Sequence, residues 1–360
     1  MINRECGNYK RTYRADMALY PVPLQRYTIM AAVVTFYIIF PLLANEYALN
    51  LANLIGIACI SAIGLNILTG YTGQISIGHA AFMMVGAYTA AILNSRYGVS
   101  FLLCLPAAGI MAAAVGSFFG IPSLRIKGLY LAISTLAAQF IIEWVINHWT
   151  WVSGGAFSSI YLSPPDLFGW IPATKDGEAI LRYKYYIIFV LLAVAVVFAL
   201  NLVRSRVGRA FIAIRDNDVS AEIIGINVFR YKITAFALSS FYAGVGGALY
   251  CFYYEVATYE SFSLIISIDY LAMVIIGGLG SVLGAIYGAI FISLLPIVLD
   301  ISGTWVGDAF FGGASTEILA NVQVVTFGAL IIFFLVVEPE GLNKLWRNIK
   351  DYFRVWPFSY

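Results

Sequence analysis

The sequence predicts an all-α integral membrane protein, a polytopic helical bundle of about ten transmembrane helices with glycine-interrupted segments. Three observations carry that expectation. Hydrophobic residues make up 61% of the 360 positions and charged residues only 11%, whereas soluble domains run at about 45–50% and roughly 25%. The apolar residues gather into runs of the length needed to cross a hydrocarbon core, about 20 residues per helix. The basic residues cluster in alternate gaps between those runs, the distribution of a multi-pass chain under the positive-inside rule.

In chain order, the first 27 residues form a polar basic tail with Arg4, Lys10, Arg11, Arg14 and Arg26. No small-residue cleavage site follows "TIMAAVVTFYIIFPLLA", so the first apolar run reads as an uncleaved span and not a signal peptide. The ten apolar segments run roughly over 28–44, 48–69, 77–94, 99–120, 129–149, 184–203, 231–253, 262–279, 282–300 and 318–337. Placing the N-terminus in the cytoplasm and alternating through ten spans puts 17 of the 21 Lys and Arg residues inside. Only Arg96, Lys175, Arg182 and Lys184 fall outside, where acids such as Glu46, Asp166, Asp176, Glu178, Glu255 and Glu260 collect. Adding or removing one span breaks this segregation, so an even number of spans with both termini cytoplasmic is expected. The organisation read from the chain is a cytoplasmic tail (1–27), a transmembrane domain (28–345) and a second cytoplasmic tail (346–360). Within the domain lie a cytoplasmic loop at about 204–230 and an external loop at about 150–183, the latter expected to be ordered by Pro164, Pro165 and Pro172.

The cytoplasmic loop holds the densest charge in the chain, "GRAFIAIRDNDVSAEIIGINVFRYK". Ala210, Ile214, Ala221, Ile224 and Val228 fall near a helical spacing between the charges. Either Asp216 or Asp218 can cap a short helix from its N-terminal end, and Gly225 suits its C-terminal stop. Composition alone leaves two readings open: a basic topological anchor, or a short amphipathic helix with a role of its own.

Two other stretches are too glycine-rich and polar for plain lipid-facing helices. In residues 64–88, Gly64, Gly70, Gly73, Gly78 and Gly86 alternate with Asn66, Thr69, Thr72, Gln74, Ser76 and His79. Irregular backbone at membrane depth survives only where protein or a water-lined cavity covers it, so the run reads as a broken helix lining a path. Close helix packing through small residues is the competing reading, and for His79 packing or an interhelical hydrogen bond fits better than a ligand role. In "DYLAMVIIGGLGSVLGAIYGAIF", Gly277, Gly278, Gly280, Gly284 and Gly288 interrupt a second apolar run. Paired interrupted segments point to a transport site, although both run in the same direction and do not form an inverted pair. Glu143 and Asp269 are the ionisable side chains within spans, and an intramembrane carboxylate is a functional candidate.

Catalytic chemistry finds no constellation. Cys6, Cys59, Cys104 and Cys251 form no C-x-x-C pair, three lie in apolar segments, and neither His79 nor His148 stands in a metal or nucleophile motif, so no metal site is expected. No G-x-x-x-x-G-K-[ST] loop occurs, and "VSGGA" at 152–156 falls on the external side. The basic residues flank spans without interleaved aromatics, which argues against nucleic acid.

At this point the motifs resemble a known family. "GYTGQISIGHAAFMMVGAYTAAIL", "LYLAISTLAAQFI", "GRAFIAIRDNDVSAEIIGINVFRYKITAFALSSFYAGVGGALY", "SIDYLAMVIIGGLGSVLGAIYGA" and "FGALIIFFLVVEPEGL" are similar to the branched-chain amino acid ABC importer permeases, specifically the M-type (LivM-type) subunit. The resemblance covers roughly residues 48–345. It implies a heteromeric complex in the cell inner membrane: this subunit, an H-type sister permease, two cytoplasmic ATP-binding subunits and an external substrate-binding protein. ATP would then be bound by the partners, with no cofactor in this chain. The resemblance also implies that "SAEIIGI" is the coupling helix to the ATPases, with Ala221, Glu222 and Gly225 in the matching positions and Arg215, Asp216 and Asp218 beside them. Thr72, Gly73, Gln74, Ser76, His79, Gly277, Gly278 and Gly280 are expected along the translocation path. Two departures stand out: Glu340 replaces the family's usual base in its E-P-[RK]-G-L close, and Phe157 to Ile160 lack a glycine usual in the external loop, so the family's urea, short-amide and other amino-acid importers remain alternatives. A stand-alone channel or ion-coupled carrier is the alternative of a different class.

Overall fold

The computed structural model describes Thr12, Tyr27, residues 34–123, 129–155, 159–165, 177–310 and 341–355, and single positions between 325 and 336. A π-helical turn (Thr35–Ile39) leads into α1 (Phe40–Leu43). Then follow α2 (Glu46–Thr72), α3 (His79–Tyr97), α4 (Phe101–Ser123), α5 (Leu129–His148) and a single turn, α6 (Thr150–Ser153). After the short strand β1 (Ile160–Tyr161) come α7 (Gly177–Arg204), α8 (Arg206–Asp216), α9 (Asp218–Ile223) and α10 (Val228–Tyr254). Strand β2 (Val256–Ala257) and a 3₁₀ turn (Tyr259–Phe262) precede α11 (Leu264–Gly277), α12 (Val282–Phe310) and α13 (Gly341–Val355).

The all-α membrane architecture follows from hydropathy, and seven helices among the described residues are long and apolar enough to cross a bilayer. Three of the ten expected spans fall outside that number for different reasons. Residues 28–44 are described only in part, and 318–337 lie largely outside the described residues. The third, α3, is a full helix, but its sequence carries Thr89, Asn94, Ser95 and Arg96 and is buried along most of its length. A helix screened from lipid by other helices has no need of a uniformly apolar surface.

Two compact units are distinguished. The smaller comprises residues 1–53 and 172–189. There Tyr185 Oη donates to the Phe36 carbonyl at 2.7 Å, Tyr37 Oη donates to the Phe189 carbonyl, and the Tyr185 and Phe189 rings stack at 4.1 Å. Helix α7 starts seven residues before the apolar run expected at 184, because Glu178 sits in its first turn and pairs with Arg182 one turn on, at 3.1 Å. An acid at a helix N-terminus and an i,i+4 pair both favour the extra turns.

The larger unit comprises residues 54–171 and 190–360. Its centre is α10 packed against α3 and α4. Lipid tails offer no hydrophobic contrast to drive this association, so close backbone approach through small residues supplies it. A Cβ on Gly86 would overlap the Gly244 backbone, one on Gly247 would overlap the Met83 carbonyl, and one on Gly64 would overlap Tyr242. Gly64 and Gly86 therefore serve packing, as the small-residue reading has it. Outward faces keep large apolar side chains exposed: Leu103, Ile110 and Phe118 on α4, Ile133 and Phe140 on α5, Val194 and Val197 on α7. The loop expected at about 150–183 contributes one element that composition did not announce, a two-residue antiparallel ribbon pairing Ile160 with Ala257 and Tyr161 with Val256. Two residues are too few for any alternating pattern to register.

Candidate functional site

Both glycine-rich runs are broken helices. Helix α2 ends at Thr72, and α3 does not begin until His79. Near this end, Thr69 and Thr72 turn their hydroxyls back to the carbonyls of Leu65 and Leu68, at 2.9 and 2.6 Å. This i−4 bonding absorbs the side-chain donors within the helix. The Gln74 amide nitrogen then donates to Thr72 Oγ1 at 2.9 Å. Gln74 Oε1 and Ser76 Oγ stay buried without a hydrogen-bond partner among the described residues, polar capacity that a buried site retains only at a cost.

The opening of α3 faces the opposite problem, free backbone N–H groups at membrane depth. Its N-cap is Gly78, which has no side chain to offer. Distant helices supply the caps instead. Thr135 Oγ1 on α5 accepts from the Ile77 amide at 3.0 Å, Ser267 Oγ on α11 accepts from Ala80 at 2.9 Å, and Gln139 Oε1 on α5 accepts from Ala81 at 2.8 Å. Gln139 Nε2 in turn donates to the Phe262 carbonyl at 2.9 Å. None of these three residues was among the sequence candidates. The available signal was only a polar side chain in a largely apolar helix; all three prove fully buried, where such a group must find a partner. His79 is 1% exposed, its Nε2 lies 3.0 Å from the Ser61 carbonyl, and its ring meets Tyr270 edge-on. It is a packed core histidine.

The second break covers residues 278–281, between α11 and α12. Gly277 lies at the crossing of the two helices, where an added Cβ would overlap the Gly284 carbonyl. Gly278 and Gly341, at the start of α13, approach so closely that a Cβ on Gly341 would stand 2.6 Å from the Gly278 nitrogen. Asn66 on α2 joins the two breaks. Its Oδ1 accepts from the Gly280 amide at 3.0 Å, and its Nδ2 donates to the Ser281 carbonyl at 2.7 Å. Gly70 completes the contact, since a Cβ there would collide with the Gly280 nitrogen. Thus the structure brings Gly73 and Gly280 into one neighbourhood, and places Gly277 and Gly278 against α12 and α13. Glu143 on α5 and Asp269 on α11 are each half-buried, and no hydrogen bond joins the two carboxylates.

The loop between α7 and α10 is two helices, not one. Helix α8 runs to Asp216, and α9 begins afresh at Asp218. Asn217 caps α9, not Asp216 or Asp218: it alone takes the extended backbone (φ −162°, ψ 110°), and its Oδ1 accepts from Val219 and Ser220 at 3.1 and 3.0 Å. Asp216 instead closes α8 beside Arg215, and Asp218 lies 3.5 Å from Lys232 Nζ. Gly225 does stop α9, at φ +89°. The Gly225 amide donates to Glu222 at 3.0 Å and the Ile226 amide to Ala221 at 3.0 Å, the bond pair of a Schellman stop, which a glycine accommodates without steric cost. Ala221 faces inward at 2% exposure, while Ile223 and Ile224 stand 80% and 73% exposed. Ala210 and Ile214 are buried as well, so of the apolar spacing read from the sequence Ala210, Ile214 and Ala221 face inward, Val228 is half-buried and Ile224 faces outward.

A cavity of about 440 Å³ lies elsewhere, lined by residues such as Val85, Ile92, Met111, Ile142 and Trp151 and by no charged side chain.

A polytopic helical protein with two spans broken side by side, and a capped helical hairpin projecting between two further spans, is of the class that moves solutes across membranes. A protein-family model described as the permease component of the branched-chain amino acid transport system matches residues 47–335, and the chain belongs to that family. The high-affinity branched-chain amino acid transport system permease protein LivM of Escherichia coli (strain K12) is 30% identical over 335 residues, 88% of this chain and 75% of that protein. The probable branched-chain amino acid transport permease protein LivM of Methanocaldococcus jannaschii is 23% identical over 324 residues, covering 80% of this chain and 90% of its own. The probable LivH permease of the same organism is 27% identical over 304 residues, 80% of this chain and 89% of its own. No solved structure matches the chain.

Proposed function

We propose that this chain is the M-type transmembrane subunit of an ATP-driven ABC importer for branched-chain or related small amino acids. The observation that carries the reading beyond family membership is α9. Its two outward isoleucines, Ile223 and Ile224, are exposed on a helix too short and too charged to lie in lipid. Exposed apolar side chains rimmed by polar ones mark a protein contact. Val219 adds to the same outward surface, with the exposed carboxylate of Glu222 beside it.

In this reading both termini and the loop from Arg204 to Lys232 are cytoplasmic, a sidedness that the segregation of basic residues supports. The ATPases bind ATP and dock on α9. An H-type sister permease completes the path, and an external binding protein delivers the amino acid to the side carrying Arg96 and the β1–β2 ribbon. ATP can shift the permease only through contacts that differ between ATPase states, and α9 supplies them. Within the chain, the breaks at 73–78 and 278–281 form the path, with Thr72, Gly73, Gln74, Ser76 and Gly280 along it. The unpartnered Gln74 Oε1 and Ser76 Oγ offer hydrogen-bond capacity to a passing amino acid. Reconstitution of the complex in proteoliposomes tests the proposal: uptake of leucine should require ATP, the ATPases and the binding protein. Uptake that persists without ATP and without the ATPases would instead favour a stand-alone carrier, and selective uptake of urea or short amides would overturn the substrate assignment.

A further inference from the structure

We propose that Arg215 is a positioning residue that ties the coupling hairpin to both helix breaks, so that movement of α8 and α9 is delivered to the path through one side chain. The proposal rests on the reading of α8–α9 as the coupling element. Arg215 lies in the last turn of α8, two residues before the Asn217 cap that starts α9. Its Nη1 donates to the Gly70 carbonyl at 3.0 Å, across 145 residues of sequence. Gly70 lies in the final turn of α2, where carbonyls lose their intrahelical donors and carry the negative end of the helix dipole. A guanidinium there meets both needs at once.

The glycines around it make room for this side chain. A Cβ on Gly73 would stand 3.3 Å from Arg215 Cγ, and a Cβ on Gly280 would stand 2.8 Å from Arg215 Nη1. Gly73 belongs to the first break and Gly280 to the second, so one arginine touches both. Asn66 ties α2, whose end opens the first break, to the second break through the Gly280 amide and the Ser281 carbonyl. On the hairpin side, Arg215 Nε lies 3.4 Å from Asp216 Oδ1. Load applied to α9 thus passes through the short Asn217 joint into α8, and from α8 into the Gly70 carbonyl and the Gly280 turn. A planar, five-donor guanidinium holds such a geometry, which a flexible ammonium does not. Membrane topology and dipole compensation need only a charge at this position, and Lys supplies that as well as Arg. The two explanations therefore separate in the Arg215→Lys variant.

The test uses the full complex reconstituted with its ATPases and binding protein, and reads ATP hydrolysed per amino acid imported. Arg215→Ala should raise that ratio about tenfold or more, in the usual range of coupling between sites, with the ATPases still co-purifying at wild-type stoichiometry. Arg215→Lys should fall between wild type and Ala. Arg209→Ala, whose Nη1 reaches only the neighbouring Arg204 carbonyl, should leave the ratio unchanged. If Arg215→Ala does not accumulate, Arg215→Gln reads the same ratio with the side-chain length partly kept. An unchanged ratio in Arg215→Ala or Gln, or a wild-type ratio in Arg215→Lys, would overturn the proposal. Loss of the ATPases from the complex would also overturn it, by making Arg215 a docking residue. A wild-type complex that imports without its ATPases would fail the underlying reading instead, a result distinct from any of these.

Discussion

Asn66 is a single side chain with an energetic role out of proportion to its size. It is 1% exposed and spends both ends of its amide on backbone groups of a segment more than 200 residues away. Replacing it with Ala leaves the Gly280 amide and the Ser281 carbonyl without their partner, and each unsatisfied buried group costs about 1–3 kcal/mol. Asn66→Ala should therefore lower the thermal midpoint of the purified protein in detergent and reduce uptake together. An unaltered midpoint would mean that water reaches the second break and replaces the amide. A neighbouring prediction concerns room rather than bonding. Trp at Gly73 should abolish uptake by displacing Arg215, and Trp at Gly278 should do so by forcing α13 away from the second break. Normal uptake with both substitutions would exclude this neighbourhood from the path.

At the scale of elements, the breaks at 73–78 and 278–281 show which parts of the architecture could be read from the chain. Glycine density announced both interruptions, because a lipid-facing helix has little use for so many positions without side chains. What satisfies the broken ends was not legible. Thr135, Gln139 and Ser267 are small or medium polar residues in largely apolar helices that also hold Ser134 and Asp269, and nothing local tells a remote cap from a polar residue that bonds within its own helix. The same limit explains the cap of α9. Asp216, Asn217 and Asp218 are all able caps, and only the backbone turn between α8 and α9 selects Asn217. The stop of α9 was legible, since Gly225 takes φ +89° with open space around it. Gly225→Pro locks φ near −65° and should unwind the last turn of α9, abolishing substrate-stimulated ATP hydrolysis while leaving membrane insertion intact. Glu222→Lys should do the same by reversing an exposed charge on the docking face. Wild-type stimulated hydrolysis in either variant would remove α9 from the coupling role.

For the molecule as a whole, sidedness is the property on which every proposed role depends, because the hairpin must face ATP and the ribbon must face the binding protein. The argument for it is electrostatic: 17 of 21 basic residues fall on one side under an even number of spans. The fold sharpens this into a chemical test. Tyr161, on the β1–β2 ribbon, is 75% exposed, and Ile224, at the end of α9, is 73% exposed, so a cysteine at either position meets solvent. The native background is quiet, since Cys59, Cys104 and Cys251 are buried and Cys6 can be changed to Ser in the N-terminal tail. With a membrane-impermeant maleimide, Tyr161→Cys should label in intact cells. Ile224→Cys should stay unlabelled there and react in inside-out vesicles made from cells that lack the ATPases, which otherwise cover this position. Because α7 is the one candidate span among the described residues between the two positions, they must give opposite answers if that helix crosses the bilayer. Labelling of both from the same side would remove α7 as a span and reverse the assignment of everything after it, the coupling hairpin included.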